Sequence, residues 1–263
     1  MINLKRLKIL TFFLKHPIIR TYKTVHIYQI PIIIIEKYEI QKGREKIMEI
    51  TGKTTLTGLI GSPVAHSISP QMHNEAFRQL GLDYVYLAFD LAGSDLGTAV
   101  RGLRDIGAKG FNVTMPYKVH VLEYMDELTP AAKIAQACNT VIIKDGRLTG
   151  HTTDGIGFMS SVSDAGHDII GKKMTVLGCG GAATAICTQA ALDGVSDIDI
   201  FQLKLPEEFD RALAFADRVR EHTSCNIHIY DFADTEQMRK SVSESALPVS
   251  YTHLRAHETD SYL

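Results

Sequence analysis

From Leu56 onward, short apolar runs alternate with longer amphipathic segments, and each change is marked by glycine, proline or a small polar residue. Thr55 to Gly61 predicts a strand that ends in Gly61-Ser62-Pro63. Pro70 opens a helix to about Leu80, with proline in the first turn and Gly81 at the stop. Tyr84 to Phe89 is the next strand, and Ser94 caps a helix to about Ile106 that Gly107 ends. Lys109 to Thr114 is a strand running into Met115-Pro116, where proline fixes its own φ and holds Met115 extended. Lys118 is thereby delivered on a rigid turn at the start of a helix. A helix over Thr129 to Gln136 follows, then a hairpin of Thr140 to Lys144 and Leu148 to Thr149, turning at Asp145-Gly146. A further helix begins at Asp154 and ends near Gly166.

Gly171 marks a fresh start. Met174 to Leu177 predicts a buried strand, followed by Gly178-Cys179-Gly180-Gly181-Ala182-Ala183 and a helix to about Leu192. Ile198 to Gln202, Pro206 to about Glu221 and Asn226 to Tyr230 continue as strand, helix and strand. This β-α-β-α-β order is the first half of a dinucleotide-binding sheet. The chain is therefore expected to be α/β, with an N-terminal α/β substrate domain over 48–155 and an incomplete Rossmann-like dinucleotide-binding domain over 156–247. Residues 248–263 carry no apolar period and are expected to lie outside the fold, resembling a translated adapter tail.

Composition changes the picture at the other end. Residues 1–47 hold ten Lys/Arg against three Glu, a net of +7, which leaves the remainder at −9. Such an asymmetry suits a basic arm or anchor. Yet the stretch is rich in Ile, Lys, Tyr and Phe, and Lys42-Gly43-Arg44-Glu45-Lys46 can be written in purine-only codons, like a ribosome-binding site read through. Met48 is the expected start and 1–47 a non-native leader. The longest apolar run, Ile30 to Ile35 with a proline inside, is far short of a membrane span. The four cysteines, Cys138, Cys179, Cys187 and Cys225, form no CxxC pair and no metal spacing, so buried thiols in a cytoplasmic protein and no metal are expected.

Two groups of residues carry candidate chemistry. Gly178, Gly180 and Gly181 lie between a strand and a helix, where backbone can approach a pyrophosphate and the helix N-terminus offers unpaired N–H groups. Phe201-Gln202-Leu203-Lys204 ends the second strand without an acidic residue for a ribose 2′-hydroxyl; Lys204 suits a 2′-phosphate, whereas Glu207 or Glu208 suits the unphosphorylated cofactor. The second group is polar residues at strand ends: Ser67 and Ser69 before a helix, Asn112 and Thr114 on one face of a strand, then Lys118, Asn139 and Asp154. Ser69 is by type an N-cap; Ser67 has no such local role. Together they suit a small, polyhydroxylated, anionic substrate.

The motifs H-S-x-S-P-x-x-H-N (66–74), G-x-N-V-T-x-P-x-K (110–118), A-x-N-T (137–140), T-D-G-x-G (153–157) and G-x-G-G-A (178–182) resemble, in this order, those of shikimate dehydrogenases. The resemblance covers about residues 54–246, and Gln202-Leu203-Lys204 with Ala212 to Ala216 looks closer to the quinate/shikimate branch. It implies a reversible NAD- or NADP-dependent oxidation of the 3-hydroxyl of shikimate (or quinate), a step of aromatic amino acid biosynthesis. It further implies that Ser67 and Ser69 bind the carboxylate, that Asn112, Thr114, Asn139 and Asp154 hold hydroxyls, and that Lys118 and Asp154 are the catalytic pair. Cofactor contacts are then expected at Gly178, Cys179, Gly180, Gly181, Ala182, Gln202 and Lys204.

Two departures stand out: Thr152 replaces the family's usual Asn, and the later cofactor-sheet strands, a substrate-binding glutamine and the returning helices have no counterpart. The alternative reading is accordingly a non-catalytic fragment that binds shikimate weakly or does not fold. A folate or tRNA-linked substrate has no support, since the chain past residue 47 is acidic and lacks a basic, aromatic-interleaved patch. The partner expected is a small molecule, with no nucleic acid and no membrane; a homodimer is left open.

Overall fold

The computed structural model describes residues 49–250, so the expected leader over 1–47 and the expected tail past 250 lie outside the described residues. The described chain forms two compact units: 49–112 with 142–144, and 113–141 with 145–250. They part at Asn112, upstream of the boundary expected after residue 155.

In the first unit β1 (Thr55–Gly61) runs parallel to β2 (Tyr84–Asp90), with Thr55 opposite Tyr84 and Gly61 opposite Asp90. β3 (Gly110–Val113) flanks β1 on its other side. The two sheet neighbours β1 and β2 sit tightly at Gly58, where a Cβ would lie 2.6 Å from the Leu87 carbonyl oxygen. The crossover α1 (Ser69–Leu80) has Pro70 in its first turn and closes on Gly81 at φ 64°. It buries His73 and Phe77, and Phe77 joins Leu59, Val64 and Tyr86 in one core. α2 (Leu96–Asp105) is capped by Asp95, whose carboxylate accepts the Thr98 N–H at 2.7 Å. Ser94 is not the cap, because the helix begins one residue later than its hydroxyl could serve.

In the second unit β6 (Arg147–His151), which follows β5 (Thr140–Lys144, its last three residues in the first unit), pairs in parallel with the short β4 (Glu127–Leu128). Lys118 stands in a turn that leads into a 3-10 helix at His120–Tyr124, not an α-helix; only Val121 of that segment is buried, too little apolar face to extend it. α3 (Pro130–Ala135) is capped by the Thr129 hydroxyl, and α4 spans Asp154–Asp164. The nucleotide-type sheet has the order β10-β7-β8-β9, all parallel, from β7 (Lys173–Leu177), β8 (Asp197–Gln202), β9 (Asn226–Asp231) and β10 (Leu247–Ser250). Helices α5 (Gly181–Asp193) and α6 (Pro206–His222) cover it through Ile186, Ala190, Phe215 and Val219.

Two elements near the end of the described residues depart from expectation. α7 (Thr235–Glu244) has no apolar stripe; its buried residue is Ser241, which donates to Asp199 on β8. Lys173 completes that cluster, 2.8 Å from Asp199 Oδ2 and 3.1 Å from Glu244 Oε2. Pro248, Val249 and Ser250, expected outside the fold, instead belong to β10, with Leu247 and Val249 packed on the core. Among the described residues no strand pairs β10 on the side facing away from β7, where Pro248 has no N–H to offer.

Candidate active site

β3 ends at Val113, and Thr114 opens the turn that presents Lys118: its carbonyl oxygen accepts the Tyr117 N–H at 3.0 Å. The turn is tied down beyond the lysine as well, since Cys138 N–H donates to Lys118 O at 2.8 Å. One residue on, the Asn139 main chain accepts from Val113 N–H at 2.8 Å and donates to His151 O at 3.0 Å. The strands thus carry Lys118 and Asn139 to one place, and α4 starts there with Asp154.

Lys118 Nζ donates to Asp154 Oδ2 at 2.8 Å, with both side chains about one-third exposed. Asn139 Nδ2 donates to the other carboxylate oxygen, Oδ1, at 2.5 Å. Asn139 Oδ1 accepts the Thr153 N–H at 2.9 Å, so the carboxamide can face only one way. Both oxygens of Asp154 are therefore engaged, in the first turn of a helix whose N-terminus favours negative charge. What remains is a lysine Nζ of fixed position on a half-open surface, able as an ammonium to give a proton to an adjacent alcohol oxygen and as an amine to take one from it.

The first unit holds Ser67, Ser69 and Asn112. Ser67 Oγ accepts the Ser69 N–H at 3.2 Å, Ile68 stands at the N-cap, and Ser69 is not the cap but the first residue of α1. Asn112 Oδ1 accepts the Tyr86 hydroxyl at 2.7 Å. Tyr86 is itself held: Asn74 accepts its N–H at 2.8 Å and donates to its carbonyl at 2.9 Å, and His73 stacks on its ring at 4.2 Å. Burial pushes the Tyr86 phenol far up, so it stays a donor. Sequence reasoning missed Tyr86; the available signal was a tyrosine in a buried strand, whose hydroxyl needs a partner.

The glycine-rich turn after β7 is left-handed at Gly178, φ 95°, and extended at Gly180, the residue before α5. No side chain caps α5, so the N–H groups of Gly181, Ala182 and Ala183 keep no partner within the helix, and a Cβ on Gly181 would meet nothing within 4 Å. That open, donor-rich turn fits a pyrophosphate. Cys179 N–H is turned inward to Gln202 Oε1 at 2.8 Å, and burial raises the Cys179 thiol to about 11. Gln202 Nε2 donates to Glu208 Oε2 at 3.1 Å, while Lys204 Nζ lies 5.9 Å from the Phe209 ring centroid. Among the described residues no group of His, Cys, Asp or Glu is placed to hold a metal.

Known proteins match this arrangement. The substrate-binding domain of shikimate dehydrogenases matches residues 59–141. A shikimate dehydrogenase (NADP(+)) of Listeria monocytogenes is 52% identical over 203 residues, 77% of this chain and 69% of its own length. A solved shikimate 5-dehydrogenase of Listeria monocytogenes, in complex with shikimate and NAD, is 49% identical with TM-score 0.75, over 80% of this chain and 72% of that one. A quinate dehydrogenase of Corynebacterium glutamicum, in complex with NAD, is 28% identical with TM-score 0.65, over 76% and 71%. On this identity and coverage, with the lysine–aspartate pair and the glycine turn at the matching motifs, the chain belongs to the shikimate dehydrogenase family.

Proposed function

We propose that this protein is an oxidoreductase that interconverts shikimate and 3-dehydroshikimate with a nicotinamide cofactor, NAD or NADP. The Lys118–Asp154 contact carries the reading, because it fixes one proton-handling group at 2.8 Å from a carboxylate braced by Asn139. The turn of Gly178 to Ala182 would hold the pyrophosphate of the dinucleotide, whose nicotinamide ring would supply the hydride acceptor. In the oxidation direction Lys118 Nζ, as the amine, takes the hydroxyl proton and becomes an ammonium; in the reduction direction that ammonium gives the proton back to the developing oxyanion, while Asp154 keeps the group in place. Asn112, Thr114, Asn139 and Asp154 hold the ring hydroxyls, and Ser67 and Ser69 take the substrate carboxylate. The wider family activity on quinate makes that acid the second substrate to try.

Initial rates with shikimate and with quinate, each with NAD and NADP, test this on the whole chain. Shikimate-dependent reduction of either nicotinamide supports the proposal. A folded protein that reduces neither with either acid overturns it.

A further inference from the structure

Which nicotinamide is used is written in the geometry at the end of β8. In this type of fold the pyrophosphate lies on the turn after the first strand, and the adenosine ribose meets the end of the second. That second strand ends here in Gln202, a buried residue with no charge. Its carboxamide is used at both ends. Cys179 N–H can only donate, so Gln202 Oε1 must face the turn, and Nε2 must face outward to Glu208. A carboxylate is thereby held beside the phosphate-binding turn, although it comes from the next helix rather than from the strand. Glu208 is exposed, sits in the first turn of α6 and receives the Gln202 amide on Oε2, which leaves Oε1 to accept from a hydroxyl.

The surrounding charge points the same way. From Gln202 to Arg211 the chain carries three carboxylates (Glu207, Glu208, Asp210) against two cations, Arg211 and Lys204, and the Lys204 ammonium lies over Phe209. A 2′-phosphate brings close to two further negative charges and would meet a net acidic surface. A ribose 2′-hydroxyl would instead donate to Glu208.

We propose that Glu208, oriented by Gln202, makes this protein select NAD over NADP. The inference rests on the dehydrogenase reading and names the residue that sets its cofactor.

The experiment is a calorimetric titration of the whole chain with ADP-ribose and with 2′-phospho-ADP-ribose, two fragments that differ only at the position in question. The wild type should bind ADP-ribose at least about tenfold more tightly, the worth of one hydrogen bond to a charged group. Glu208→Gln should erase most of that ratio, weakening ADP-ribose through the lost charged hydrogen bond and relieving the repulsion of the phosphorylated fragment. Gln202→Leu should weaken the preference in the same direction, and Lys204→Ala should leave it standing. If both fragments bind but Glu208→Gln leaves the ratio unchanged, or the wild type prefers the phosphorylated one, the assignment of Glu208 falls while the dehydrogenase reading stands. If a folded chain binds neither fragment and turns over no shikimate, both fall together.

Discussion

The backbone of Gly155 runs directly against Ala185: a Cβ added to Gly155 would lie 2.3 Å from the Ala185 carbonyl oxygen and 2.6 Å from Gln189 Cβ. Gly155 is the residue after Asp154, and Ala185 belongs to the helix that follows the glycine-rich turn. Backbone-to-backbone contact between α4 and α5 therefore sets where the carboxylate stands relative to that turn.

Gly155→Ala should push α4 off α5. Overpacking of this kind costs about 1–3 kcal/mol, and here the displaced helix end carries Asp154. The expected outcome is a lower Tm together with a fall in kcat that exceeds any rise in KM. Gly157→Ala is the control, because a Cβ there meets nothing within 4 Å; it should leave both nearly unchanged.

Lys118→Ala removes the proton-handling group and leaves Asp154 Oδ2 without its ion pair. General acid–base groups contribute about 10²–10⁴-fold, so kcat should drop by roughly that factor with a much smaller change in KM. Asp154→Asn should act on the same step. The double variant should lose little more than Lys118→Ala alone, because the two groups work as one unit. Steady-state kinetics of the three variants decides it; additive losses would separate their roles.

Tyr86→Phe deletes the donor to Asn112 and nothing else of size. Stability should fall by about 1 kcal/mol, the net worth of one hydrogen bond. Since Asn112 is proposed to hold a substrate hydroxyl, KM for shikimate should rise several-fold while kcat moves less. An unchanged KM would detach Asn112 from the substrate.

Asp199→Ala attacks a different link. Asp199 is 2% exposed and ties Lys173 on β7 to Ser241 on α7. Removing one partner of a buried pair costs about 3–5 kcal/mol, toward the lower end here because Lys173 keeps 22% of its side chain exposed. Denaturant unfolding should show the loss. Ser241→Ala should cost less, since it strips one hydrogen bond and no charge.

These residues also mark the reach of the amino-acid sequence. The alternation of strands and helices is carried by local signals, so β1 and the start of α4 fall where the apolar runs and punctuation put them. α7 escaped because it is held by Ser241 on Asp199, a polar contact 42 residues apart that leaves no apolar period. β10 escaped for a related reason: its alternation is only two apolar residues long, Leu247 and Val249, the proline between them argues against a strand, and only pairing with β7 makes the segment one. At the site, the motif resemblance pairs Lys118 with Asp154 across 36 residues, but the Asn139 brace on the second carboxylate oxygen has no signal in the sequence. The Gly155 contact is invisible in sequence, where a glycine after an aspartate reads as helix-start punctuation.

A buried imidazole, His73, and a partly buried one, His151, give the fold a pH dependence with a defined sign. His73, stacked on Tyr86, and His151, 3.2 Å from the Thr129 hydroxyl, are each shifted below the ordinary value of 6.5 by burial. In the unfolded chain both titrate near 6.5, so below that pH the unfolded state binds protons that the folded state refuses. Their contribution is fully present above pH 6.5 and is lost as the pH falls through the depressed folded values. Tm should therefore decline from about pH 7 toward pH 5, more steeply than in His73→Asn or His151→Gln, each of which removes one titrating group. Thermal melts of the three proteins across that window measure the slopes; equal slopes would mean that neither imidazole is held neutral by the fold.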